Sequence, residues 1–140
     1  MSVSDLTNSD VAELVAFRRK LHRRPELSGE EVETAQQVVS FLHETGPDQV
    51  IEGLGGTGVA VVYNSGHPGP TIMLRAELDG LPIKDLSGAA HASEIADKGH
   101  LCGHDGHMTM LCAVGRLLGR KRPERGRAVL LFISSRYFLP

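Results

Sequence analysis

The spacing of hydrophobic and polar positions changes several times along the chain, and each change marks an element. Val11, Leu14, Val15, Arg18, Leu21 and His22 recur at helical spacing, with Phe17 beside the stripe, which predicts an amphipathic helix. Asn8 or Ser9 stands where its cap belongs, and Pro25 ends it near Arg24. Ser28-Gly29-Glu30-Glu31 then has the pattern of a capping box, in which the Ser28 hydroxyl takes the Glu31 amide and the Glu31 side chain reaches back. The helix it opens carries Val32, Ala35, Val38, Val39 and Leu42 on one face and stops at Gly46-Pro47. The period then shortens. Gln49 to Leu54 reads as a short strand, and Val59-Ala60-Val61-Val62-Tyr63 and Thr71-Ile72-Met73-Leu74-Arg75-Ala76 as two more. The turn formers between them, Asn64 to Pro70, predict an antiparallel hairpin. Near-continuous apolar character in both strands predicts burial on two faces. Residues 79–99 have no clean period and read as loop. A helix follows from Asp105, with Met108, Leu111, Cys112 and Leu118 on its apolar face, and Arg127 to Ile133 is a last buried strand. The order ααβββαβ predicts an α/β fold, a mixed sheet flanked by helices.

Composition narrows the function classes. The chain has 140 residues, 41% hydrophobic and 23% charged, as expected of one ordinary domain spanning 1–140. A formal charge of -2 and 4% aromatic residues argue against nucleic acid as a partner. No apolar run reaches the ~20 residues of a membrane span. Met1-Ser2-Val3-Ser4-Asp5 lacks the marks of a secretory signal, and two cysteines, Cys102 and Cys112, are too few for a disulfide scaffold. A cytoplasmic location with reduced thiols is the expectation.

Candidate chemistry is concentrated in His100-Leu101-Cys102-Gly103-His104-Asp105-Gly106-His107. Thiolate and imidazole are the ligands that zinc and other transition metals prefer. If the segment is extended, His100, Cys102 and His104 fall on one side. Asp105 has two readings: a carboxylate orienting a ligating imidazole, or the N-cap of the following helix. A solvated polar loop is the bland alternative. The second candidate is Leu74 to Ile83, where Glu77 and Asp79 stand just past a buried strand, the place where α/β proteins hold ligands. Cys112, at helical spacing from Met108, reads as a buried apolar side chain. Lys121, Arg122, Arg125 and Arg127 read as a solvated helix end.

Together these motifs resemble the amidohydrolase branch of the aminoacylase-like metallopeptidases, the group of hippurate hydrolases, N-acyl amino-acid amidohydrolases and auxin-conjugate hydrolases. Phe17-Arg18-Arg19-Lys20-Leu21-His22-Arg23-Arg24-Pro25-Glu26-Leu27-Ser28 is similar to that branch's opening helix and P-E-L-S turn. Leu74 to Ile83 is similar to its R-A-D-M-D-A-L-P-I block, with Glu77 for the first Asp, and His100 to His107 to its H-A-C-G-H-D-G-H block. The resemblance implies part of a zinc-peptidase-like catalytic domain, with the family's lid or dimerisation domain absent. It implies hydrolysis of an amide or ester bond in a small acyl substrate by a metal-activated water, with zinc, manganese, cobalt or nickel as the divalent metal. Cys102 and His104 fall on metal ligands, with His100 and His107 as further candidates, and Asp79 falls on the acidic residue supporting the site. Where the family has Q-P-A-E-E, carrying the general base and a further ligand, this chain has Ile133-Ser134-Ser135-Arg136-Tyr137. The departure suggests a truncated or frame-shifted reading frame, and it leaves Asp105, Glu77 or Asp79 to act as substitute base. It also raises the competing expectation of an inactive metal-binding or structural remnant, or of a unit that needs a partner. An uncovered sheet edge would make the chain a homo-oligomer.

Overall fold

In a computed structural model, residues 6–135 are described. The elements are α1 (Asn8–Arg23), α2 (Val32–His43), β1 (Gln49–Leu54), β2 (Gly58–Asn64), β3 (Thr71–Glu77), α3 (His104–Arg120) and β4 (Arg127–Ile133). They follow the predicted order, and β1 and β4 have the predicted bounds. The readings made on residues 1–5 and on Arg136 and Tyr137 lie outside the described residues.

The four strands form one mixed sheet in the order β1-β2-β4-β3. The expected β2–β3 hairpin is absent, because β4 lies between the two, antiparallel to β2 and parallel to β3. The turn-rich connection does not close on itself. Its backbone bonds run to the start of β4, with Ser65 N–H donating to Gly126 O, Gly126 N–H to His67 O and Arg127 N–H to Pro70 O. Gly126 sits at φ +68 and a Cβ there would collide with Pro70 O, so a glycine at this crossing is a steric requirement.

One sheet face carries Val59, Val61, Tyr63, Leu130 and Phe132, which pack with Leu14 and Leu21 of α1, Val38 and Leu42 of α2, and Met108 and Cys112 of α3. Cys112 is buried as expected, and burial pushes its thiol pKa up. The opposite face carries Ala60, Val62, Val129 and Leu131, packed against one another. β2 is therefore buried on both sides, as predicted. β3 is not: Ile72, Met73 and Leu74 are all exposed on this edge strand.

Three predicted caps are corrected. The N-cap of α1 is Thr7, one residue ahead of Asn8, in a reciprocal box with Asp10. Its buried face is Asp10, Leu14, Leu21 and His22, while Val11 and Val15 are exposed, so the stripe is rotated toward the polar residues that α3 engages. At α2 the Ser28/Glu31 box does not form. Ser28 Oγ turns to Ser134 Oγ at 3.1 Å, and the Glu26 carboxylate takes the Thr34 amide and hydroxyl at 2.6 Å each. The N-cap of α3 is Gly103, not Asp105, with no side-chain cap bond. Arg122, read as solvated, instead donates to Leu118 O, Gly46 O and Asp48.

Candidate functional site

The end of β3 and the start of α3 meet at His104. Its Nδ1 lies 2.7 Å from the backbone oxygen of Asp79, so Nδ1–H donates to that carbonyl. This bond fixes the ring, and Nε2 faces Glu77 Oε2 at 2.8 Å. The Asp79 carboxylate lies 3.7 Å from Nδ1 through Oδ1 and accepts the Ser135 amide at 3.0 Å. His104 and Asp79 are buried, and Glu77 is partly exposed. Three of the residues singled out in the sequence thus converge, although Glu77 and His104 are 27 positions apart in the chain.

The others do not line up beside them. Gly103 sits at φ +80 and turns the backbone sharply into α3. That turn breaks the expected extended alternation: His100 and His104 are buried, whereas Cys102 is exposed with a free thiol. His107 is exposed, its ring centroid 6.1 Å from that of His104. Both ring nitrogens of buried His100 lack a hydrogen-bond partner among the described residues, and burial pushes its pKa down to about 4. The Asp105 carboxylate is engaged elsewhere, by His22 Nδ1 at 2.8 Å and Arg18 Nε at 3.2 Å. His22 entered the sequence reading as a member of a helical stripe and of the opening block that resembles the family, with no role assigned to it. No spacing signal could reveal its role, because its partners Asp85 and Asp105 lie 63 and 83 residues away.

Part of this arrangement suits a divalent cation. An imidazole tied through Nδ1–H to a carbonyl, with Nε2 toward a carboxylate, has the tautomer and orientation of a ligating histidine. Yet among the described residues no three His, Cys, Asp or Glu side chains are grouped so as to hold a metal ion. The described residues supply part of a donor set and do not close a site by themselves.

Helix–sheet layering, a mixed sheet and a polar cluster at the strand ends define part of an α/β domain. No family model matches the chain. It is 41% identical over 125 residues to the IAA-amino acid hydrolase ILR1-like 2 of Arabidopsis thaliana, covering 85% of this chain and 27% of that protein. It is 35% identical over 111 residues to the N-acetylcysteine deacetylase of Bacillus subtilis, covering 79% of this chain and 29% of that protein. The structure of Bacillus subtilis YXEP, described as a dinuclear metal binding peptidase of the M20 family, superimposes with a TM-score of 0.83 at 32% identity, covering 89% of this chain and 35% of that one. Over most of its own length the chain is therefore similar to amidohydrolases and M20 peptidases of this kind, and it spans about a third or less of the length of these relatives. Among the described residues no helix is long and apolar enough to cross a membrane.

Proposed function

We propose that this chain forms the His104-centred part of a metal-dependent hydrolase acting on amide or ester bonds of small acyl substrates. The observation that carries the reading is the His104 ring, locked by the Asp79 carbonyl and aimed at Glu77. Its relatives, one an IAA-amino acid hydrolase and another an N-acetylcysteine deacetylase, support the reaction class. Cys102 and His104 are the proposed metal ligands, with His100 and His107 as subsidiary candidates and zinc, manganese, cobalt or nickel as the ion. The metal's contribution in such enzymes is to polarise the carbonyl and acidify a bound water. This chain's own part is to orient His104 through Asp79 and to place the Glu77 carboxylate beside it. Small acyl compounds are the proposed substrates, with the cytoplasm as the proposed compartment. A second copy of the chain is the proposed partner, pairing along the exposed edge of β3.

The incomplete donor set favours a second reading, in which the chain binds metal weakly and does not turn over substrate. The two are separated by assaying short-chain esters and N-acyl amino acids with wild type and Cys102→Ala, after chelation and after adding zinc or manganese. Metal-dependent turnover abolished by Cys102→Ala is expected for the hydrolase. Metal binding without turnover supports the second reading, and activity indifferent to chelator and mutation overturns both.

A further inference from the structure

Away from His104, a second buried polar cluster joins three segments that are distant in sequence. His22, on the last turn of α1, is buried with a carboxylate oxygen at each ring nitrogen. Asp105 Oδ2 lies 2.8 Å from Nδ1, and Asp85 Oδ2 lies 3.2 Å from Nε2. Both carboxylates are almost fully buried, with side chains 2% and 1% exposed. Asp105 also takes Arg18 Nε at 3.2 Å. Asp85 takes the amides of Ser87 and Ser93 at 2.9 Å each, and these amides, Ser93 first, hold its carboxyl well below the usual carboxylate range. The rings of His91 and His100 pack at 5.3 and 6.3 Å from that of His22. The two carboxylates meet opposite nitrogens of one ring, so the His22 side chain links them.

Position gives the cluster its meaning. Asp105 follows His104 directly and lies in the first turn of α3, whose N-cap Gly103 has no side-chain bond to hold it. Asp85 organises the irregular 80–99 segment, which is otherwise tied down by few backbone bonds, among them Leu81–Gly99 and Glu94 N–H to Arg23 O. Nothing in the site as described uses His22. We infer that His22 is a positioning residue that clamps the Cys102–His104 turn to α1 and to the 80–99 segment by bridging Asp105 and Asp85. The inference deepens the proposed function, because the turn it clamps carries the proposed metal ligands.

The test is amide hydrogen exchange on His22→Gln, with Asp85→Asn as an independent break of the same bridge. Glutamine spans a similar length but cannot place a donor on both carboxylates. Losing charge-assisted bonds of this kind speeds local opening by about tenfold or more. Exchange is expected to rise by that factor at His107, Ser87 and Ser93, whose amides bond to Gly103 O and Asp85, and to stay at the wild-type rate in β2 and β4. Unchanged exchange at these amides overturns the clamp, and a uniform rise across the molecule, or loss of folding in both variants, makes His22 a general packing residue and overturns it too. Cobalt(II) titration, read by the thiolate charge-transfer band of Cys102, separates this inference from the one it rests on. With metal bound by wild type, His22→Gln should weaken cobalt(II) binding about 10–100-fold, and equal binding would overturn the link from clamp to ligands. Absence of the band in wild type would sink the metal reading, while the exchange result would still decide the clamp.

Discussion

β2 and β3 look alike as sequence and behave oppositely as structure. Val59-Ala60-Val61-Val62-Tyr63 is buried throughout, whereas Ile72, Met73 and Leu74 are exposed by 61%, 55% and 41%. Composition cannot account for the difference. β2 is paired on both edges, by β1 and β4, and its two sets of side chains enter two separate apolar clusters. Among the described residues β3 is paired only to β4, and its first five residues are exposed. An apolar run therefore specifies a strand, while the strand's neighbours decide what that run is worth. Burial returns only at the end of β3, at Ala76 and Leu78, where the chain passes beneath α3 into the site. The functional residues sit at the one end of this strand that is packed.

The sharpest way to break the contrast is to remove an equivalent side chain from each environment. Phe132 on β4 is fully buried opposite Val59 of β2, so Phe132→Ala should cost about 3–5 kcal/mol in urea unfolding. Ile72→Ala on β3 should change stability by no more than about 0.5 kcal/mol, as at other exposed positions. A loss at Ile72 approaching that at Phe132 would mean that another molecule already covers this edge.

That possibility is the next test. An edge strand whose first half is the apolar run Ile72-Met73-Leu74, paired on one side only among the described residues, offers a backbone edge to a second chain. We expect light scattering to give a mass above that of one chain for wild type and a shift toward one chain for Ile72→Lys with Leu74→Lys. Wild type running as a stable monomer would remove the proposed partner and leave β3 a bare edge.

Much of the fold was legible because local periodicity governs it: the bounds of β1 and β4, the burial of β2 and the inert role of Cys112 all follow from spacing. What spacing could not carry was long-range pairing. β4 inserts between β2 and β3 because backbone groups of residues 65–70 bond to residues 126–127, and nothing in a run of turn formers encodes that partner. Caps failed for a similar reason, since Ser28 and Asp105 had the right residue type but found distant partners, Ser134 and His22. At the site, Glu77, Asp79 and His104 were readable as motif residues. His22 stood in the opening block without an assigned role and Asp85 was not singled out, because what joins them is a contact between distant segments.

The covered side of the molecule should also respond to acid in a way the β3 edge does not. Asp10 caps the Thr7 amide and receives Arg120 at 2.7 and 2.8 Å and Arg116 at 3.2 Å, so one carboxylate joins α1 to α3. The Arg120 hydrogen bonds first, and the Thr7 amide next, hold its carboxyl well below the usual carboxylate range. A folded-state pKa lowered in this way gives stabilisation that is full above the unfolded value of about 4 and is lost as pH falls below it toward the folded value. Asp10→Asn should therefore be less stable than wild type at pH 7, with the gap narrowing steadily below about pH 4. The small gap between Ile72→Ala and wild type should be the same at every pH, because an exposed aliphatic side chain carries no titrating group. Paired acid titrations of the two variants, followed by circular dichroism, would show whether the α1–α3 junction holds the covered side together electrostatically. A pH-independent gap for Asp10→Asn would reduce that carboxylate to a helix cap and leave apolar packing alone to hold the two helices.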